Sequence, residues 1–261
     1  MITSKDNPKI KQILQLEQRK QRDEQGLFVV EGAQEIRMAL QAGFGVQAAF
    51  ICPDRVKTKD DFDLVALLNA QTLAPLEVAE NIFGPLAYMQ RSCALLVLRQ
   101  HSLDLVELAQ RKPRALLALV GIEKPGNLGA LLRTAHASGF DAAVVADKHI
   151  DLWNPNCLRA SRGSVLALPL AECDSSALIA WLKQRSYHIY ATQVQGGTPD
   201  LRFDLPCALV LGSEKSGLGP EWSKADISAV SIPMAAGLDS LNVAVAGGIL
   251  MYTLAPQLLH S

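Results

Sequence analysis

The second half of the chain most narrowly constrains the fold. From residue 115 onward, short apolar runs alternate with segments of helical length. The runs are Ala115–Val120, Ala142–Ala146, Val165–Leu168, His188–Ala191, Ala208–Leu211 and Ala229–Ile232. Unbroken apolar runs mark strands buried on both faces. Strands separated by helices form a parallel sheet with helices covering it. Ligands of such sheets bind beyond the carboxyl ends of the strands. The loops after Val120, Leu211 and Ile232 are therefore where chemistry is expected.

The first hundred residues also mix α and β. Lys9–Leu16, Glu31–Leu40 and Asp60–Asn69 read as helices, and Leu27–Val30, Val46–Ile51 and Ala94–Leu98 as strands. Between His101 and Arg114 apolar density falls, charge rises, and Pro113 breaks the chain. This predicts a smaller α/β domain over residues 1–100, a linker at 101–114 and a parallel-sheet domain over 115–261.

Charge and cysteine usage narrow the function classes. With 25 basic and 26 acidic residues, the formal net charge of −1 excludes a uniformly basic nucleic-acid coat. A local basic patch remains, because the first 22 residues hold six Lys/Arg against two Asp/Glu. The cysteines at 52, 93, 157, 173 and 207 form no CxxC pair, so neither a disulfide framework nor a zinc site is expected. MITSKDNPKIKQ lacks the apolar stretch of a secretory signal. The apolar run Val243–Pro256 is shorter than the ~20 residues that span a bilayer. A soluble, cytoplasmic protein without metal or membrane contact is the expectation.

Four segments carry candidate chemistry. In GIEKPGNLGALLRTA, Gly121–Ala135, a helix is expected from Asn127, which reads as a cap or a site residue. Arg133 lies almost two turns further on, where both side chains would address one side of the helix. LVLGSEKSGLG, Leu209–Gly219, runs from a buried strand into glycines around Glu214. It lacks the Gly-Lys-Ser/Thr ending of a phosphate loop, so its glycines point instead to close backbone approach to a ligand. In SIPMAAGLDSLNVAVAGGILMY, Ser231–Tyr252, a helix is expected from Ser240, with Asn242 just inside it. Gly247 and Gly248 weaken that helix, which implies close packing against other backbone. LRASRGS, Leu158–Ser164, offers Arg159 and Arg162 as phosphate ligands or as a solvated pair.

Taken together, these segments resemble the SPOUT superfamily of RNA methyltransferases, in its SpoU/TrmH branch of ribose 2′-O-methyltransferases. NLGALLRTA is similar to that family's first motif, LGSEKSGLG to its second and IPMAAGLDSLNVAVAGGILMY to its third, in the family's order over about residues 115–256. ITSKDNPKIK with RKQRDEQGLFVVEG resembles the family's ribosomal-protein-like RNA-binding domain.

The resemblance implies a deep trefoil knot in the C-terminal domain, a homodimer packed through the knotted domains, and S-adenosylmethionine as cofactor. Gly212, Ile232 and Leu241 match the family's cofactor contacts, with Leu211, Ser213, Gly217 and Met234 in the same loops. Arg133 matches the residue given the activation of the ribose hydroxyl. Because a guanidinium stays protonated, gripping the adjacent phosphate is the alternative role. Asn127, Glu214, Ser240 and Asn242 would orient Arg133 and the ribose, and Arg162 matches an arginine that reaches the substrate across the dimer. Lys5, Lys9, Lys11, Arg19, Lys20, Arg22 and Arg159 are the expected RNA contacts. The chain departs from the family pattern at Ala244, where many relatives carry serine, and at Glu123-Lys124-Pro125, where many carry aspartate before the proline.

Overall fold

A computed structural model describes residues 1–71, 74–87, 92–148, 150–193, 203–223, 225–235 and 240–259. The chain forms two compact units, Met1–His101 with Trp153–Ala167, and Ser102–Leu152 with Leu168–Ser261.

In the first unit, α1 (Pro8–Gln15) and α2 (Arg19–Gln25) precede β1 (Leu27–Glu31), α3 (Ala33–Gln41), β2 (Val46–Ile51), α4 (Lys59–Asn69), β3 (Leu76–Glu77), α5 (Glu80–Leu86) and β4 (Ala94–Arg99). The sheet order is β1-β4-β2-β3, with β4 antiparallel to both neighbours and β2 parallel to β3. Ile10, Ile13 and Leu16 pack with Phe50, Phe83, Leu95 and Val97 in its core. Thr58 and Asp61 close a capping box on α4, which explains its acidic start.

The second unit begins with α6 (Leu105–Gln110), β5 (Ala115–Val120), α7 (Pro125–Ala137) and β6 (Ala142–Ala146). The helices α8 (Pro155–Ser161) and α9 (Ser164–Ala167) belong to the first unit. The chain then continues through β7 (Leu170–Cys173), α10 (Ser175–Gln184), β8 (His188–Thr192), β9 (Cys207–Leu211), α11 (Pro220–Ser223), β10 (Ser228–Val230) and α12 (Val243–Leu259). The sheet order is β10-β8-β9-β5-β6-β7, and every pair is parallel. The central strands β5, β6 and β9 are buried along their whole length, as their unbroken apolar sequences require. From β5 the order runs to β6 and β7 on one side, while β9, β8 and β10 lie on the other. The crevice of such a sheet opens where that order reverses, between the carboxyl ends of β5 and β9.

Several expectations are corrected. Val165–Leu168 is not a strand; Ser164–Ala167 is a helical turn, and the strand is Leu170–Cys173. A four-residue apolar run fits either state, and here Gly163, at φ 84, and Pro169 bracket it. The 101–114 stretch, expected as a linker, belongs from Ser102 onward to the second unit. Asp104 caps α6, and Leu108 joins the core of the parallel sheet. Trp153–Ala167, assigned from sequence to the C-terminal domain, packs with the first unit. There Trp153 stacks on Phe28 with ring centroids 4.5 Å apart.

Candidate active site

Three chain segments converge at the carboxyl ends of β5 and β9. After β5 the chain turns at Gly121, whose φ of 62° favours glycine. Lys124 precedes α7, and Pro125 opens it in the position where a missing N–H costs nothing. Leu128, Leu131, Leu132 and Ala135 form the buried stripe of α7, which keeps its first turn fixed over the sheet. After β9, Ser213 and Gly217 exchange backbone hydrogen bonds of 3.0 and 2.9 Å, closing a tight loop with Glu214 on it. A Cβ on Gly212 would lie 2.6 Å from the Gly217 carbonyl carbon, so the loop closes only over a glycine. The third segment is the approach to α12.

Glu214 is the hub of the convergence. Its Oε1 accepts from Asn127 Nδ2 at 2.7 Å and from Asn242 Nδ2 at 3.0 Å. Asn242 Nδ2 also approaches Asn127 Oδ1 at 3.3 Å. Lys124 Nζ reaches Glu214 Oε2 at 2.9 Å. The Lys124 ammonium holds the Glu214 carboxyl below its ordinary range, against partial burial that raises it. The Val243 backbone and the Asn127 side chain also favour the charged form.

The two asparagines differ from their sequence readings. Asn127 does not cap α7, which starts at Pro125; it lies in the first turn with its amide on Glu214. Ser240 does not cap α12, which starts at Val243. Asn242 does so, its Oδ1 accepting from the Ala244 backbone at 2.9 Å and from Val245 at 3.4 Å. One face of the Asn242 amide thus caps a helix while the other donates to Glu214. Arg133 is exposed and makes no hydrogen bond or ion pair among the described residues. Six residues of α-helix displace it about 9 Å along α7 and about 120° around it from Asn127, so the two do not share a face.

Beside this cluster lies a cavity of about 490 Å³. Every expected cofactor residue lines it: Leu211, Gly212, Ser213, Gly217, Ile232, Met234 and Leu241. Ser240 and Glu214 stand in the same wall. Sequence reasoning missed Thr192 and Gln193, which line it from the end of β8, and Lys124. The carboxyl end of β8 was legible as a strand terminus, but Thr and Gln carry no motif there.

The remaining candidates lie in the first unit. Arg162 ends α8 with a left-handed φ of 48° and an exposed side chain, while the half-buried Arg159 donates to Asn156. Lys5 and Lys9 are exposed. Lys11 pairs with Asp6, Arg19 with Asp23 and Lys20 with Glu24, all on the surface. Such exposed pairs are weak, so those cations stay available to phosphate. Arg22 is different. It is 1% exposed and donates through Nη1 to the carbonyls of Leu16 and Glu17, at 2.7 and 2.8 Å. It satisfies the end of α1 and is not an RNA contact. Among the described residues, no group of His, Cys, Asp and Glu could hold a metal, and no helix is long and apolar enough to cross a membrane.

Residues 114–252 match the SpoU rRNA Methylase family, and residues 7–96 match the MRM3-like substrate binding domain. The chain is 28% identical to the 23S rRNA (guanosine(2553)-2′-O)-methyltransferase RlmP of Bacillus subtilis, over 97% of this chain and 98% of that one. The crystal structure of an RNA 2′-O ribose methyltransferase superposes with a TM-score of 0.82 at 35% identity, covering 100% and 99% of the two chains. An AdoMet-bound rRNA methyltransferase from Sinorhizobium meliloti gives a TM-score of 0.85 at 28% identity, covering 98% and 97%.

Proposed function

The chain belongs to the SpoU rRNA methylase family, and on that premise we propose how its own residues carry the reaction. The reaction is transfer of a methyl group from S-adenosylmethionine to a ribose 2′-hydroxyl of structured RNA. The observation that carries the residue assignment is the Asn127–Glu214–Asn242 cluster at the rim of the 490 Å³ cavity.

The cavity suits the cofactor. It has the size of a small-molecule site and pairs apolar walls, from Leu211, Ile232, Met234 and Leu250, with polar groups from Thr192, Gln193 and Ser213. When bound there, the cofactor supplies an electrophilic methyl on a sulfonium. The chain's part is to hold the ribose hydroxyl in line with that methyl and to exclude misaligned poses. Glu214 fixes the amides of Asn127 and Asn242 against the ribose, and Ser240 adds a hydroxyl at the same wall. Arg133 grips the phosphate beside the target ribose through its planar fork. Arg162 approaches the same substrate from a second copy of the chain.

The homodimer in this reading rests on α12. Val245, Ile249 and Tyr252 are 52%, 45% and 55% exposed and follow a helical stripe. An apolar stripe of this kind on a surface helix fits a second copy. Tyr252→Glu should convert the protein to monomers in sedimentation; a wild type that sediments as a ~28 kDa particle at micromolar concentration would refute the pairing. The knot of the family fold is part of the same reading. The first unit supplies RNA affinity through Lys5, Lys9, Lys11, Arg19 and Lys20, and the cytoplasm is the compartment that holds such RNA.

The test is methylation of ribosomal and transfer RNA from cells lacking the protein, with methyl-labelled cofactor and mapping of the labelled nucleotide. Label on a ribose 2′-oxygen is the expected outcome. Label on a base, or none, would overturn the reading.

A further inference from the structure

Two dipeptides face each other across the site. Glu123-Lys124 ends the loop after β5, and Glu214-Lys215 lies in the loop after β9. They pair crosswise. Lys124 Nζ meets Glu214 Oε2 at 2.9 Å, and Lys215 Nζ meets Glu123 Oε2 at 2.7 Å. The two pairs are not equivalent. The Lys215–Glu123 pair stands in solvent, with side chains 76% and 44% exposed. In the inner pair the Lys124 side chain is 67% exposed but that of Glu214 only 27%, and Glu214 spends its other oxygen on Asn127 and Asn242.

We propose that Lys124 is a positioning residue for methyl transfer, acting through the Glu214 carboxylate on the Asn127 and Asn242 amides. The inference rests on the functional reading above and gives a role to Lys124, which stands before Pro125 where the chain departs from the family pattern. The physical argument is one of geometry. A carboxylate free to rotate would exchange its two oxygens and its partners. With Oε2 pinned by an ammonium, Oε1 is held toward both amides, and each amide is fixed in one orientation. Asn242 carries that orientation into the first turn of α12 through its cap bonds to Ala244 and Val245. Lys124 is itself placed by the start of α7, since Pro125 restricts the backbone before it to the extended region, where Lys124 has φ −101° and ψ 121°. Its ammonium also favours the ionised form of Glu214, in which Oε2 accepts from Lys124 while Oε1 accepts from both amides as a charged, stronger acceptor.

Among the described residues, the charged neighbours of Glu214 come from two loops and one helix start. The start of α7 brings Lys124, its own loop brings Lys215, and the β5 loop brings Glu123. Residues 243–259 of α12 contain no charged side chain. Removing Lys124 therefore removes the main support of the ionised carboxylate.

The experiment uses the full-length protein, methyl-labelled cofactor and ribosomal RNA from cells lacking the protein. Lys124→Gln, Lys124→Arg and the outer-pair control Glu123→Gln are compared with wild type in single-turnover rate against pH. The Glu214 carboxyl is followed separately by carbon-detected NMR titration. In Lys124→Gln the saturated rate should fall about tenfold, the scale expected when a positioned group loosens. The acid limb of the profile and the Glu214 titration should both move to higher pH. Lys124→Arg should restore rate and titration, and Glu123→Gln should leave the acid limb in place. A Glu214 titration unmoved by Lys124→Gln overturns the inference. So does a loss confined to RNA affinity, with the salt slope reduced by about one, because that would make Lys124 a phosphate contact. If wild type labels no RNA, the functional reading fails, and the NMR titration still decides the coupling of Lys124 to Glu214.

Discussion

Gly212→Ala tests whether the loop after β9 must close for the cofactor to bind. The added methyl would lie 2.6 Å from the Gly217 carbonyl carbon, 2.7 Å from its oxygen and 2.9 Å from the Leu218 nitrogen. Non-bonded carbons rest at about 3.5–4.0 Å, so the two sides of the loop must separate by about 1 Å. The neighbours are backbone and cannot rotate away. Separation strains or breaks the Ser213–Gly217 hydrogen-bond pair, at 3.0 and 2.9 Å, whose members contribute about 1 kcal/mol each. The loop is largely exposed, so the disturbance should stay local and total about 2 kcal/mol. If the cofactor needs the closed loop, that cost appears in affinity as about a thirtyfold rise in Kd. Isothermal calorimetry with S-adenosylmethionine measures it, and circular dichroism confirms the fold. Gly126→Ala is the control, since a Cβ there meets nothing within 4 Å. A folded Gly212→Ala protein with wild-type affinity would refute the reasoning.

Other outcomes follow from the same geometry. A Cβ on Gly247 would lie 2.4 Å from Leu131 Cδ2 and 2.7 Å from Leu211 Cδ1, whereas one on Gly248 meets only Thr134 Cγ2 at 3.9 Å. Gly248→Ala should therefore stabilise by about 0.5–1 kcal/mol through helix propensity, and Gly247→Ala should destabilise by about 1–2 kcal/mol in urea titrations at one protein concentration; equal effects would remove the packing argument. Arg133→Ala should lower the single-turnover rate at least a hundredfold with cofactor Kd unchanged, and Arg133→Lys should recover little of it, as the phosphate fork demands. Near wild-type turnover in Arg133→Ala would move the role elsewhere. The Arg55 guanidinium, at 2.7 Å, holds the Glu80 carboxyl down to about 2. Because this folded value is depressed, the pair stabilises above pH ~4.5 and loses its effect as pH falls from there toward about 2. Glu80→Gln should cost under about 1 kcal/mol at neutral pH, since Glu80 is half exposed, and a Tm gap that persisted at pH ~2 would exclude this pair as its source.

Strand positions were legible wherever burial demands an unbroken apolar run. β5 and β6 fall at the residues expected, because runs such as ALLALV carry no polar break and suit a strand buried on both faces, and β2 falls there too although Gln47 interrupts its run. The signal failed where it was too short to carry a period, at Val165–Leu168, and where a polar helix carries no apolar stripe. RKQRDEQ of α2 is such a helix; its one buried side chain is Arg22. A basic residue read as a phosphate ligand turned out to end the preceding helix, because carbonyl satisfaction leaves no trace in the linear order of charges. Trp153–Ala167 was misassigned for a related reason. Membership of a core is a matter of packing, and Trp153 finds its partners in Phe28 and Phe44, far away in sequence.

The site was legible as a set of residues and illegible as a set of bonds. Motif order named Asn127, Glu214 and Asn242, but an asparagine beside a helix start has two equally good readings, cap and ligand. The structure separates them by giving Asn242 both tasks and Asn127 only the second. That division has a consequence for substitution. Asn127→Asp would place a second carboxylate against Glu214 Oε1, where the amide now donates at 2.7 Å. Two carboxylates at that distance share one proton, so one of them would titrate well above its ordinary range. Asn242→Asp would meet the same repulsion but keep its cap, since the carboxylate still accepts from Ala244 and gains from the helix N-terminus. The cap holds one variant's helix start in place and does nothing for the other's. The residue that looks more like a cap in sequence, Asn127, is thus the one whose amide serves the site alone.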